Sequence, residues 1–178
     1  MKKYEFVDND LLEFDGHILH RIKAVRSFGD VNEGEIGGYI EKEDNLSHDG
    51  NCWVYGTSTK LMSGGKVCGN AKIIDNATVC VNAIILGNAD SLVISDNAFI
   101  TDHVYIKGNV RISGNAKIYN YAEISDNADI GGNTVIDIYG INICSNALIH
   151  SNKDFAFISG FGIPQDSRFD LDFYLMIT

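Results

Sequence analysis

Between Leu61 and Asn152 one unit of six residues recurs with little interruption, and it constrains the fold more than any other feature of the chain. Gly114-Asn115-Ala116-Lys117-Ile118-Tyr119 shows it well: a turn pair, a small residue, an outward residue, an aliphatic residue and another outward residue. The unit returns at Gly69-Asn70-Ala71-Lys72-Ile73-Ile74, Asp75-Asn76-Ala77-Thr78-Val79-Cys80, Gly108-Asn109-Val110-Arg111-Ile112-Ser113 and Asp126-Asn127-Ala128-Asp129-Ile130-Gly131. A fixed short period is the signature of a solenoid, and six residues is the period of a parallel β-helix. Residues two apart in a strand share a face, so the small and the aliphatic positions both point inward. The aliphatic position falls at 61, 67, 73, 79 and 85, then at 94, 100, 106, 112, 118, 124, 130 and 136, then at 143 and 149. Two slips interrupt the register, one between 85 and 94 and one between 136 and 143. The expected class is all-β, with Ile118 and Ile124 buried and Lys117 and Glu123 exposed.

Composition narrows the class further. The chain has 14 basic against 24 acidic residues, a net charge of −10, and residues 1 to 50 hold 6 basic and 12 acidic side chains. An acidic balance argues against direct nucleic-acid binding, which needs stripes of Lys and Arg, and leaves room for a basic protein partner. No run of about 18 apolar residues occurs, so neither a membrane span nor a signal peptide is expected. The expected location is the cytoplasm of a bacterial host. Cys52, Cys68, Cys80 and Cys144 lack CxxC spacing and read as reduced residues, Cys52 inward and the others outward.

The flanks do not repeat. Residues 4 to 7 and 18 to 28 read as strands joined through Asp15-Gly16, and residues 1 to 45 are expected to form an N-terminal β cap over the open first coil. The β-helix is expected over 46 to 152. Residues 153 to 178 are expected to form a C-terminal β-hairpin cap, turning at Pro164-Gln165-Asp166-Ser167, with Phe169, Leu171 and Phe173 on its apolar face.

The hexads resemble those of hexapeptide-repeat proteins, a resemblance that implies a left-handed helix with three hexads per triangular coil. His20-Arg21-Ile22-Lys23-Ala24, Phe28-Gly29-Asp30-Val31, Gly34-Glu35-Ile36-Gly37-Gly38-Tyr39-Ile40-Glu41 and Asn45-Leu46-Ser47 further resemble the leader of small repeat proteins of phages and prophages. Neither resemblance supplies an established catalytic residue.

With three hexads per coil the aliphatic positions form three rows: 61, 79, 100, 118 and 136; 67, 85, 106, 124 and 143; 73, 94, 112, 130 and 149. After the second row the turn carries Asn70, Asn88, Asn109, Asn127 and Asn146, and after the third Asn76, Asn97, Asn115, Asn133 and Asn152. Asn tolerates left-handed backbone and bonds locally, so both series read as structural ladders. After the first row the turn carries Gly64, Asn82, His103, Tyr121 and Tyr139. Phe99 and Tyr119 on one side, and Ile84, Leu86 and Tyr105 on the other, complete an apolar and aromatic edge that reads as a contact surface.

On this reading the chain is a non-enzymatic binding scaffold of phage type with no cofactor, no metal and no catalytic residue. It would dock on a host protein, one with a basic nucleic-acid-binding groove such as a CRISPR-type defence nuclease. A structural or self-assembling β-helix that forms a homo-oligomer is one alternative. An acyltransferase of the kind found among hexapeptide-repeat proteins, with His103 as general base, is the other, although no orienting carboxylate for His103 is evident in the sequence.

Overall fold

The computed structural model describes residues 1–87, 92–137, 139–160, 168–170 and 175–177, with the backbone alone from 152 onward. The rows are present as parallel ladders. Row one stacks Lys60–Leu61, Thr78–Val79, Phe99–Ile100, Lys117–Tyr119 and the later half of Asp129–Asp137. Row two stacks Lys66–Gly69, Ile84–Gly87, Tyr105–Lys107, Glu123–Ile124 and Asn142–Ile143. Row three begins one strand earlier, at Trp53–Val54, and continues through Lys72–Ile73, Val93–Ile94 and Arg111–Ile112 to Ile130 and Ile149. The fold is an all-β parallel β-helix, and both register slips fall where the hexads placed them.

The physical basis is the interior. Ile73, Val79, Ile85, Ile94, Ile100, Ile106, Ile112, Ile118, Ile124, Ile130, Ile136, Ile143 and Ile149 are fully buried, as are the small residues Ala71, Ala77, Ala83, Ala98, Ala116, Ala122 and Ala128. A fully buried aliphatic side chain stabilises a fold by about 1.5 to 3 kcal/mol, so one continuous column carries the structure. Lys117 is exposed as expected, whereas Glu123 is half-buried in an ion pair with Lys107 at 2.9 Å. Coils approach closely at the turns: a side chain on Gly69, at φ +70°, would put its Cβ 2.1 Å from the carbonyl oxygen of Gly87.

The Asn ladders are also present. Each Nδ2 donates to the next Oδ1 from Asn76 to Asn97 (3.1 Å), Asn97 to Asn115 (3.0 Å) and Asn115 to Asn133 (2.8 Å). On the second corner Asn109 donates to Asn127 and Asn127 to Asn146, both at 3.1 Å. Asn88 and the side chain of Asn152 lie outside the described residues.

The N-terminal segment extends row one rather than sitting only on the open end. Strand β1 (Tyr4–Phe14) pairs antiparallel with β2 (His17–Ala24), β2 antiparallel with β3 (Ile36–Ile40), and β3 parallel with Lys60–Leu61. The ribbon covers part of the outer face of row one, where Leu19, Met62 and Cys80 are buried with Leu12, Tyr39 and Phe99 packed on them. Cys80 therefore points outward by register yet is buried. At the mouth of the first coil the Tyr4 hydroxyl lies 2.8 Å from both the Glu43 and the Leu46 carbonyl oxygen and shares its one proton between them, and Phe28 lies edge-on to Trp53 at 5.4 Å. Lys3 is fully buried, its Nζ donating to the Cys52 carbonyl at 2.7 Å and standing 4.9 Å from the Phe28 ring centre, and burial lowers its pKa.

At the other end Arg168–Asp170 and Leu175–Ile177 run parallel to Leu148–Gly160. The backbone there prolongs the ladder, whereas the strands of a hairpin would pair antiparallel with each other. The Pro164 to Ser167 turn, Leu171, Phe173 and the side chain of Phe169 lie outside the described residues. No helix among the described residues is long and apolar enough to cross a membrane.

Candidate functional site

The corner that departs from Asn is an aromatic stack. The His103 ring lies on Tyr121 at 4.4 Å between centroids with planes 5° apart, and Tyr121 meets Tyr139 at 4.8 Å and 43°. Tyr121 and Tyr139 are 45% and 74% exposed. Support for the turn comes from the position before the rings. Asp102 and Asn120 take left-handed φ, the Asn120 N–H donates to Asp102 at 3.4 Å, and the Asn120 side-chain amide donates to Asp137. Among the described residues the one ring contact of His103 is with Tyr121, and no carboxylate bonds to it.

The flanking residues divide between two faces. Phe99 and Tyr119, whose rings are 6.3 Å apart, stand on row one, where Phe99 packs against the cluster under the β1–β2 ribbon. Ile84, Leu86 and Tyr105 stand on row two, with Tyr105 beside Ile84 in the ladder, and Ile84 is 40% exposed. His103, Tyr121, Tyr139 and Ile84 are the exposed members of the eight.

A histidine held by a carboxylate does occur, on row three. His150 Nε2 lies 2.9 Å from Asp129 Oδ1, and the two side chains are 35% and 33% exposed. Register explains the pairing: Leu148 is level with Asp129 and His150 with Gly131, so the imidazole reaches back diagonally. Gly131 makes the room, because a Cβ there would lie 2.7 Å from His150 Cε1, 3.0 Å from Nδ1 and 2.9 Å from Ser113 Oγ. A carboxylate at Nε2 selects the tautomer with its proton on that nitrogen and leaves the Nδ1 lone pair free to accept one. The sequence reading chose His103 because it stands at a corner. The signal for His150 was the slip between 136 and 143, which sets 150 level with 131.

No protein-family model matches the chain. Over 53 residues, 30% of its length, the chain is 38% identical to an Escherichia coli (strain K12) protein named as an uncharacterized acetyltransferase, YdcK. The match spans 16% of that relative's own length. This likeness overturns the expectation of a non-enzymatic chain and favours the acyltransferase alternative instead. The comparisons give no support to a phage origin or to a role against host defence. Among the described residues no cluster of three His, Cys, Asp or Glu side chains could hold a metal ion.

Proposed function

We propose that the chain carries an acyl-transfer site of the hexapeptide-repeat kind, with His150 as general base and Asp129 as the group that orients it. The observation that supports this reading is the 2.9 Å contact between His150 Nε2 and Asp129 Oδ1. His150 Nδ1 takes the proton from an acceptor hydroxyl or amine as that acceptor attacks the carbonyl of an acyl thioester, and Asp129 stabilises the imidazolium that forms. The thiol leaves as thiolate and recovers the proton. The test is acetyl transfer from acetyl-coenzyme A to a panel of amines and alcohols. His150→Asn is expected to lower the rate ~10² to 10⁴-fold, the usual contribution of a general base, and Asp129→Asn to lower it less. Loss on His103→Asn with none on His150→Asn would sink the assignment.

The exposed Tyr121 and Tyr139 rings favour a second reading, in which that edge is a contact surface for another copy or for a foreign protein. The two readings occupy different faces and can both hold.

A further inference from the structure

A second histidine is held between a carboxylate and a hydroxyl. His17 Nδ1 lies 3.1 Å from Glu41 Oε1, and His17 Nε2 lies 3.1 Å from Ser63 Oγ. His17 and Glu41 lie 46 and 22 positions from Ser63 along the chain, and the β1–β2 turn delivers the imidazole onto the corner that follows Lys60–Leu61. Glu41 Oε2 also accepts the Ser63 backbone N–H at 2.7 Å, so the carboxylate fixes the hydroxyl-bearing residue and the imidazole together.

We infer that Ser63, His17 and Glu41 form a second acyl-handling site, with a serine nucleophile, its base and an orienting carboxylate, that cleaves small esters or thioesters through an acyl-serine. Three further observations fit. Ser63 takes φ +49° at a tight turn and is followed by Gly64-Gly65, the kind of sharp bend that lifts a nucleophile clear of its neighbours. The Gly64 N–H, next after the nucleophile, has no acceptor among the described residues. That N–H is a donor available to an oxyanion formed at Ser63. Val81, level with Ser63 on the next coil, is 38% exposed and held at φ +46°, a conformation strained for a β-branched residue. It offers the acyl group an apolar seat. Burial pushes the Glu41 carboxyl up, but the His17 hydrogen bond, the Ser63 N–H and Lys42 outweigh it and hold its pKa below the ordinary value, so Glu41 stays ionised beside the imidazole.

In the first step Ser63 Oγ bonds to the acyl carbon and its proton passes to His17 Nε2. The bond to the alcohol or thiol breaks, and that group departs with the proton. Water then gives a proton to His17 and its oxygen to the acyl carbon, which releases a carboxylic acid and restores the Ser63 hydroxyl.

The test uses the full chain, a fluorophosphonate probe and p-nitrophenyl acetate. It contains neither coenzyme A nor an acceptor, so its result is independent of the proposal for His150. Peptide mapping is expected to find the phosphonate on Ser63. Ser63→Ala should abolish labelling and lower hydrolysis ~10³-fold or more, and His17→Gln ~10²-fold or more, with circular dichroism unchanged. A wild-type protein whose Ser63 stays unlabelled overturns the inference, as does a folded Ser63→Ala variant that hydrolyses at the wild-type rate. Should Ser63→Ala unfold, the mapped wild-type peptide decides the matter alone.

Discussion

Two corners of the solenoid and the third solve the same turn in different ways. In the Asn corners the amide at the turn position also forms the ladder, each side chain donating to the coil above and accepting from the coil below. The position is then fully engaged and cannot vary. The Asn corners also carry a rung one residue earlier, on Asp75, Asp96 and Asp126. At the third corner Asp102 and Asn120 carry that rung, and Asn120 reaches Asp137, two residues before Tyr139, with no ladder at the turn position itself. The turn position is released from that duty, and glycine, asparagine, histidine and tyrosine succeed one another there. Support for a bend and display of a side chain are thus separable tasks, and a chain that separates them gains a variable edge on a rigid frame.

Three substitutions test this contrast. The largest effect is expected from Ile124→Ala, since Ile124 is fully buried between the Tyr121 turn and the Asn127 turn and anchors both corners. It should lower stability by about 2 to 5 kcal/mol in denaturant unfolding; a loss under about 1 kcal/mol would mean that the corners hold themselves up. Asn115→Ala removes one bond given and one received. The expected cost is about 1 kcal/mol in the same measurement, and no change would make the ladder a by-product of the coil. The smallest effect on stability is expected from Tyr121→Asn. Loss of ring stacking, about 0.5 to 1.5 kcal/mol, is offset by relief of a tyrosine held at φ +61°, a region that Asn enters more readily. The net change should stay within about 1 kcal/mol. If the edge joins copies of the chain, sedimentation should show the same variant dissociating, and an unchanged association state would leave the edge without that role.

The repeating part was legible in the sequence because each hexad repeats the same local rule. Rows, buried positions and Asn ladders all follow from a period and two slips. The cap was less so: alternation in β2 marks one apolar side, but only the fold shows that Leu19 meets Met62 and Cys80 on the flank of row one. Both histidine sites were missed for a related reason. Asp129 and His150 are 21 residues apart, one coil plus a diagonal step, and His17 and Ser63 are 46 apart. Neither separation is a multiple of six, so the repeat that revealed the scaffold also hid the pairs it brings together.

The buried ammonium of Lys3 gives the rod a direction. A solenoid can in principle lengthen from either end by adding a rung to its exposed ladder. At this end the interior column meets a cation bound to the Cys52 carbonyl and covered by the Phe28 ring. A rung laid on this end would meet that closed polar and aromatic plug in place of an open aliphatic column to continue. Lys3 therefore acts as a chain terminator in the polymer sense: any fibre built coil upon coil from this protein would have one dead end.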